Sequence, residues 1–126
     1  MPKVEKLDHI ALVVSDLDIS VKFYQDLLGF SPICVDEWWT DTEKFLGSGG
    51  TNIALFQSEI NSSGKLNQNQ PSCHAAFRTS RSEFDQYLDL FKKENFDFRF
   101  ADHGITHSIY FRDPDDYGLE ITTYDV

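Results

Sequence analysis

The sequence of 126 residues predicts an α+β fold in which one βαβββ unit is used twice. Three observations carry that expectation. Short apolar runs of strand length alternate with two amphipathic helical stripes. Shifting the second half back by 65 residues lays His74 on His9, Ala76 on Ala11, Phe77 on Leu12 and Ser80 on Ser15. A period that long marks an internal duplication and not a solenoid. Finally, residues 58–71 are rich in Ser, Asn, Gln and Gly and read as a solvated linker between the copies. The expected modules are about 5–58 and 72–126 of a single domain.

The first copy opens with a strand over 7–14. A helix over 17–28 follows, because Leu17, Val21, Tyr24 and Leu28 fall on one stripe. Ser15 or Asp16 can cap its start and Gly29 can end it. Three extended stretches come next, at 31–39, 42–46 and 51–57. The second copy opens with a strand over 73–79. Its helix runs over 81–94, with Ser80 and Glu83 as a capping-box pair and Phe84, Tyr87, Leu88 and Phe91 as the apolar stripe. Strands at 96–100, 106–112 and 119–124 complete it, the last two joined by a strong turn at 113–118.

Lys plus Arg number 11 against 21 for Asp plus Glu, a net charge of −10. Such a chain is repelled by phosphate backbones and anionic lipid, so neither nucleic acid nor a membrane surface is an expected partner. No run approaches the roughly 18 apolar residues of a membrane span. The first residues lack the apolar core of a signal peptide, and a soluble cytoplasmic protein is expected. Cys34 and Cys73 match no zinc or redox spacing and read as reduced thiols packed like small apolar groups.

His9, His74 and Glu120 each fall within a strand-like apolar run. Two imidazoles and one carboxylate can hold a divalent metal on one face and leave other positions open, with Fe(II) the first choice and Mn, Ni or Zn possible. Strand alternation puts His9 with Ala11 and Val13, and His74 with Ala76 and Arg78. The small alanines leave room for a ligand. The plainer reading has two core histidines bonded to backbone and a Glu120–Arg78 ion pair. Tyr110 is the candidate hydrogen-bond or proton donor to a substrate oxygen. His103, in a loop that could swing in, is the candidate acid–base, because alternation puts His107 opposite Tyr110's face. Trp38 and Trp39 would face opposite ways on a strand, with Trp39 the candidate to stack on a planar substrate. Arg78 could grip a substrate carboxylate or pair with an acidic neighbour. Phe56, beside Ala54, could add an apolar wall.

Three stretches together resemble the vicinal-oxygen-chelate superfamily of glyoxalase I, extradiol dioxygenases and the fosfomycin- and bleomycin-resistance proteins. They are DHIALVVSDL from Asp8 to Leu17, FYQDLLGF from Phe23 to Phe30, and SIYFRDPDDYGLEI from Ser108 to Ile121. The resemblance covers nearly the whole chain. It implies two βαβββ modules whose curved mixed sheets enclose a metal-binding cleft, often completed by dimerisation, so a homodimer acting on a small molecule is expected. It places the metal ligands at His9, His74 and Glu120. Where glyoxalase I has a fourth ligand, this chain has Ala54 or Leu55, which cannot ligate; the set left is that of the dioxygenases and fosfomycin enzymes. Asp116 stands where the closing turn usually carries Gly, and Asp tolerates a left-handed backbone. Ser108 and Tyr110 match polar pocket positions of the fosfomycin branch. Phe100, His103 and Gly104 stand where that branch's phosphonate-gripping residues cluster, and Ala11 replaces a threonine, which argues against fosfomycin as substrate.

The function expected first is a metal-dependent, dioxygenase-type enzyme for a catechol- or enediol-like substrate. A lyase, isomerase or thiol or water transferase using the metal as a Lewis acid comes second. A drug- or metabolite-binding protein comes third, and intact ligands argue against it because sequestration needs only an aromatic-lined pocket.

Overall fold

The computed structural model describes residues 1–3, 5–59 and 74–126. The expected linker from residue 60 onward, and Cys73, lie outside the described residues. The chain divides into two compact units, Met1–Lys65 and Leu66–Val126.

The first unit runs β1 (Ile10–Val14), α1 (Leu17–Leu28), β2 (Ser31–Pro32), α2 (Val35–Trp38), β3 (Glu43–Ser48) and β4 (Thr51–Gln57). Its sheet has the order β1-β4-β3-β2, with β1 parallel to β4 and the other pairs antiparallel. α1 keeps the expected bounds because both ends are chemically marked. The Asp16 side chain accepts from the Ile19 N–H at 3.2 Å, and Gly29 ends the helix at φ 68°. Leu17, Val21 and Tyr24 are buried with Val14, Leu46, Ile53 and Leu55 of the sheet.

Three expectations for this unit need correction. The stretch 31–39 is not a strand: β2 lasts two residues, Cys34 turns left-handed at φ 50°, and the chain enters the short α2. Pro32 cannot extend a ladder, and the Trp38 N–H bonds back to the Cys34 carbonyl at 2.7 Å. Cys34 is exposed, not packed as a small apolar group. The first strand also begins at Ile10, so His9 stands at its threshold.

The second unit runs β5 (His74–Arg78), α3 (Arg81–Lys93), β6 (Arg99–Asp102), β7 (His107–Arg112) and β8 (Gly118–Thr123). Its sheet repeats the first unit's order as β5-β8-β7-β6, and β5 is parallel to β8. The Ser80 hydroxyl accepts from the Glu83 N–H at 3.2 Å to start α3. Phe84 and Phe91 are buried with Ile109, Phe111, Leu119 and Ile121.

The strand expected at 96–100 begins only at Arg99. Asn95 is left-handed at φ 53°, and Phe96 and Phe98 are spent on the end of α3, their rings 4.9 and 5.8 Å from that of Phe91. Aromatic packing overrides strand propensity there. The closing turn is as expected: Asp116 is left-handed at φ 67°, and Asp113 Oδ1 accepts from the Asp115 and Tyr117 N–H groups, both at 2.9 Å. Among the described residues no helix is long and apolar enough to cross a membrane.

Candidate metal centre

Sheet register assembles the site in the second unit. Ala76 pairs with Glu120, Glu120 with Tyr110, and Tyr110 with Arg99, so these four form one row across the sheet on a common face. The adjacent row is His74, Gly118 and Arg112. His74 Nε2 lies 3.1 Å from Glu120 Oε1. Two donors bound to one ion at about 2.0–2.2 Å and near a right angle stand about 3 Å apart, so this pair is spaced as metal ligands are.

Glu120 is fixed from beneath. It is only 9% exposed, and Oε2 accepts from the Ser108 hydroxyl at 3.0 Å. Ser108 Oγ also lies 3.1 Å from Thr122 Oγ1, whose hydroxyl reaches the His107 carbonyl at 3.3 Å. The charged acceptor is the stronger claimant on the single Ser108 proton. This corrects two expectations. Glu120 does not pair with Arg78, whose guanidinium lies 4.0 Å over the Tyr124 ring. Ser108 is fully buried, so it supports Glu120 and does not line a substrate wall.

Tyr110 and His103 meet: His103 Nε2 lies 2.9 Å from the phenol oxygen, and the Arg99 guanidinium lies 4.5 Å over the ring. His107 points to the other face, where Nδ1 lies 2.7 Å from an Arg81 nitrogen and the ring packs against Phe100.

The remaining candidates lie in the first unit. His9 Nδ1 is 2.8 Å from Asp8 Oδ2, and its ring meets Phe45 edge-on at 4.8 Å. The Asn52 amide donates to the Asp8 carbonyl at 3.0 Å. A carboxylate on one ring nitrogen fixes an imidazole with the other nitrogen presented, as metal-binding histidines require. Trp38, not Trp39, adjoins this cluster, 4.9 Å from Phe45; Trp39 is half-buried with the Lys44 ammonium 4.6 Å over it. Phe56 is half-buried opposite Val13, on the same face as Ala54. Ala54 pairs with Ala11 as Glu120 pairs with Ala76, so the first unit carries methyl where the second carries carboxylate. Within either unit, among the described residues, no three His, Cys, Asp or Glu side chains gather about one point. His74 and Glu120 adjoin one another in the second unit, and His9 lies against Asp8 and Phe45 in the first.

Residues 6–121 match the family model of the Glyoxalase/Bleomycin resistance protein/Dioxygenase superfamily. The chain belongs to that superfamily. Among its relatives is virulence protein STM3117 of Salmonella typhimurium, 31% identical over 96% of this chain and 85% of the relative. Metallothiol transferase FosB of Staphylococcus epidermidis is 29% identical over 96% of this chain and 83% of FosB. The crystal structure of fosfomycin resistance protein FosX from Mesorhizobium loti superposes with a TM-score of 0.73 at 26% identity, covering 96% of this chain and 93% of that one. As a member of the glyoxalase/bleomycin-resistance/dioxygenase superfamily, the chain has the expected α+β architecture of two four-stranded mixed sheets with helices.

Pattern reasoning singled out His74, Glu120 and Tyr110, which the second sheet brings together, and did not single out their neighbours Thr122, Arg99 and Arg112, nor Asp8 beside His9. Asp8 was visible as the neighbour of a candidate ligand. The two arginines could be found only through strand register.

Proposed function

We propose that this superfamily member is a divalent-metal enzyme in which His74, Glu120 and His9 hold the ion and a thiol or water adds to a small oxygenated electrophile. The observation that carries the reading is the His74–Glu120 donor pair at 3.1 Å, with Glu120 pinned by a buried hydroxyl. Two imidazoles and a carboxylate suit Fe(II), Mn(II), Ni(II) or Zn(II). When bound, the metal would supply Lewis-acid polarisation of a substrate oxygen. Asp8 orients His9, and Ser108 orients Glu120. Tyr110 hands its phenolic proton to the oxygen that the reaction releases, and His103 Nε2, 2.9 Å away, resupplies it. Phe56, Trp38 and Trp39 remain candidates for an apolar wall.

The thiol-transfer class is preferred over dioxygenase chemistry because relatives bear the name metallothiol transferase. Dioxygenase chemistry is the second reading, favoured by the donor set alone, which is that of non-haem Fe(II) oxygenases. Protein purified without air should carry one divalent metal per chain and consume thiol with an epoxide panel. His74→Ala and Glu120→Gln should each lose stoichiometric metal while keeping a native circular dichroism spectrum. Thiol consumption that persists with both residues replaced and chelator present would defeat the proposal. Oxygen uptake with catechols by the Fe(II)-loaded protein would instead select the second reading.

A further inference from the structure

The two candidate imidazoles are held by different means. His74 lies inside β5, where register sets it opposite Gly118. His9 precedes β1, which begins only at Ile10. We propose that Asn52 is a positioning residue for His9, acting by clasping the backbone of Asp8 from the neighbouring strand. The proposal rests on the metal-enzyme reading and deepens it, by naming what sets the donor contributed by the first unit.

Register places the clasp. Ile53 of β4 is the partner of Ile10, so Asn52 stands one step back, at the position that Gly118 takes beside His74. The Asn52 amide donates to the Asp8 carbonyl at 3.0 Å. A carbonyl oxygen only accepts, which assigns Nδ2 to Asp8 and turns Oδ1 the other way. Oδ1 lies over Gly47, the partner of Asn52 on β3, where a Cβ would stand 2.1 Å from it. Gly47 is buried, so any side chain there would displace the amide from its place on the sheet.

The clasp matters because the other support is weak. The Asp8 carboxylate reaches the His9 ring through one contact, Oδ2 to Nδ1 at 2.8 Å, and the Asp8 side chain is 74% exposed. Water competes for both ends of such a contact, and two side chains must be ordered to make it. Fixing the Asp8 backbone removes part of that ordering cost, because the carboxylate then swings from a set point. Phe45 shares the face of Gly47 and Asn52 and meets the ring edge-on at 4.8 Å. It limits the ring from one side but neither donates nor accepts a hydrogen bond. Asn52, Asp8 and His9 therefore form one relay from β4 to the imidazole, which leaves Nε2 presented to an ion. His74 needs no such relay, since its own strand carries it.

The test begins with metal-free protein labelled with nitrogen-15. Asn52→Ala, and Asn52→Ser, which is too short to reach the Asp8 carbonyl, should each shift the ring-nitrogen and amide signals of His9. Those of His74 should stay in place. Cobalt(II) affinity, read from the visible absorption of the bound ion, then tests the consequence. Asn52→Ala should weaken it about tenfold, the lower end of what outer partners of metal ligands contribute. Because Asn52 acts through Asp8, the Asp8→Ala/Asn52→Ala pair should bind no more weakly than Asp8→Ala alone. Residues that act independently would multiply their losses. His9 signals unmoved in both Asn52 variants, or losses that multiply, overturn the proposal. Failure of the unsubstituted chain to bind cobalt(II) defeats the metal assignment, and the ring-nitrogen signals of the metal-free protein still decide the positioning. Normal cobalt(II) binding with His9 signals unmoved by the Asn52 variants defeats the positioning alone.

Discussion

At the residue scale, Glu120 poses the problem of keeping a charge in a sheet core. A nearly buried carboxylate is costly unless its oxygens are bonded. Here the Ser108 hydroxyl takes one oxygen and His74 the other. Ser108→Ala should therefore weaken metal affinity about 10–100-fold while leaving the chain folded, measured by equilibrium dialysis. Tyr110→Phe should retain full metal content but lose about 10²–10⁴ in turnover, the usual worth of a positioned proton donor. Tyr87 offers a test of the fold itself. Burial, reinforced by the Glu83 charge, raises its hydroxyl above the ordinary 10.0. The folded state thus favours the neutral phenol, and its contribution is fully present below pH 10 and is lost as pH rises past that. Tyr87→Phe should flatten the alkaline limb of a stability–pH curve. His74 and Glu120 were legible because strand alternation and flanking core residues expose a polar outlier. The Asp8–His9 and Ser108–Glu120 pairings were not, because they depend on side-chain rotamers and on register between strands.

At the element scale, α1 and α3 were legible almost to the residue, whereas α2 and two of the strands were not. α1 and α3 announce their starts with Asp16 and Ser80, and each carries one apolar stripe. Asp16→Ala should cost about 1 kcal/mol in urea denaturation, the usual worth of an N-cap. The misread stretches, 31–39 and 96–100, both contain aromatic residues that strand propensity favours. Tertiary packing claims those rings instead, Trp38 for Phe45 and Phe96 and Phe98 for Phe91. Phe91 also meets Tyr87 and Phe111, at 6.2 and 5.1 Å. Phe91→Ala should accordingly cost about 3–5 kcal/mol, since it opens a cavity amid four other aromatic rings.

At the scale of the whole molecule, the duplication is visible both in the sequence and in the matching strand orders of the two sheets. The copies have diverged at one register position, with Ala54 in the place that Glu120 takes. Ala54→Glu should destabilise the fold without adding a second ion, because it buries an unpaired charge, as denaturation and metal analysis together would report. The superfamily resemblance leads us to expect a homodimer. A sedimentation mass of twice the 14.5 kDa chain is the expected outcome. The left-handed turn at Cys34 bears on that measurement. It leaves a thiol on the surface, and in aerated buffer such a sulfur cross-links neighbouring copies covalently. A doubled mass therefore counts as genuine pairing only if it survives reductant or persists after Cys34→Ser.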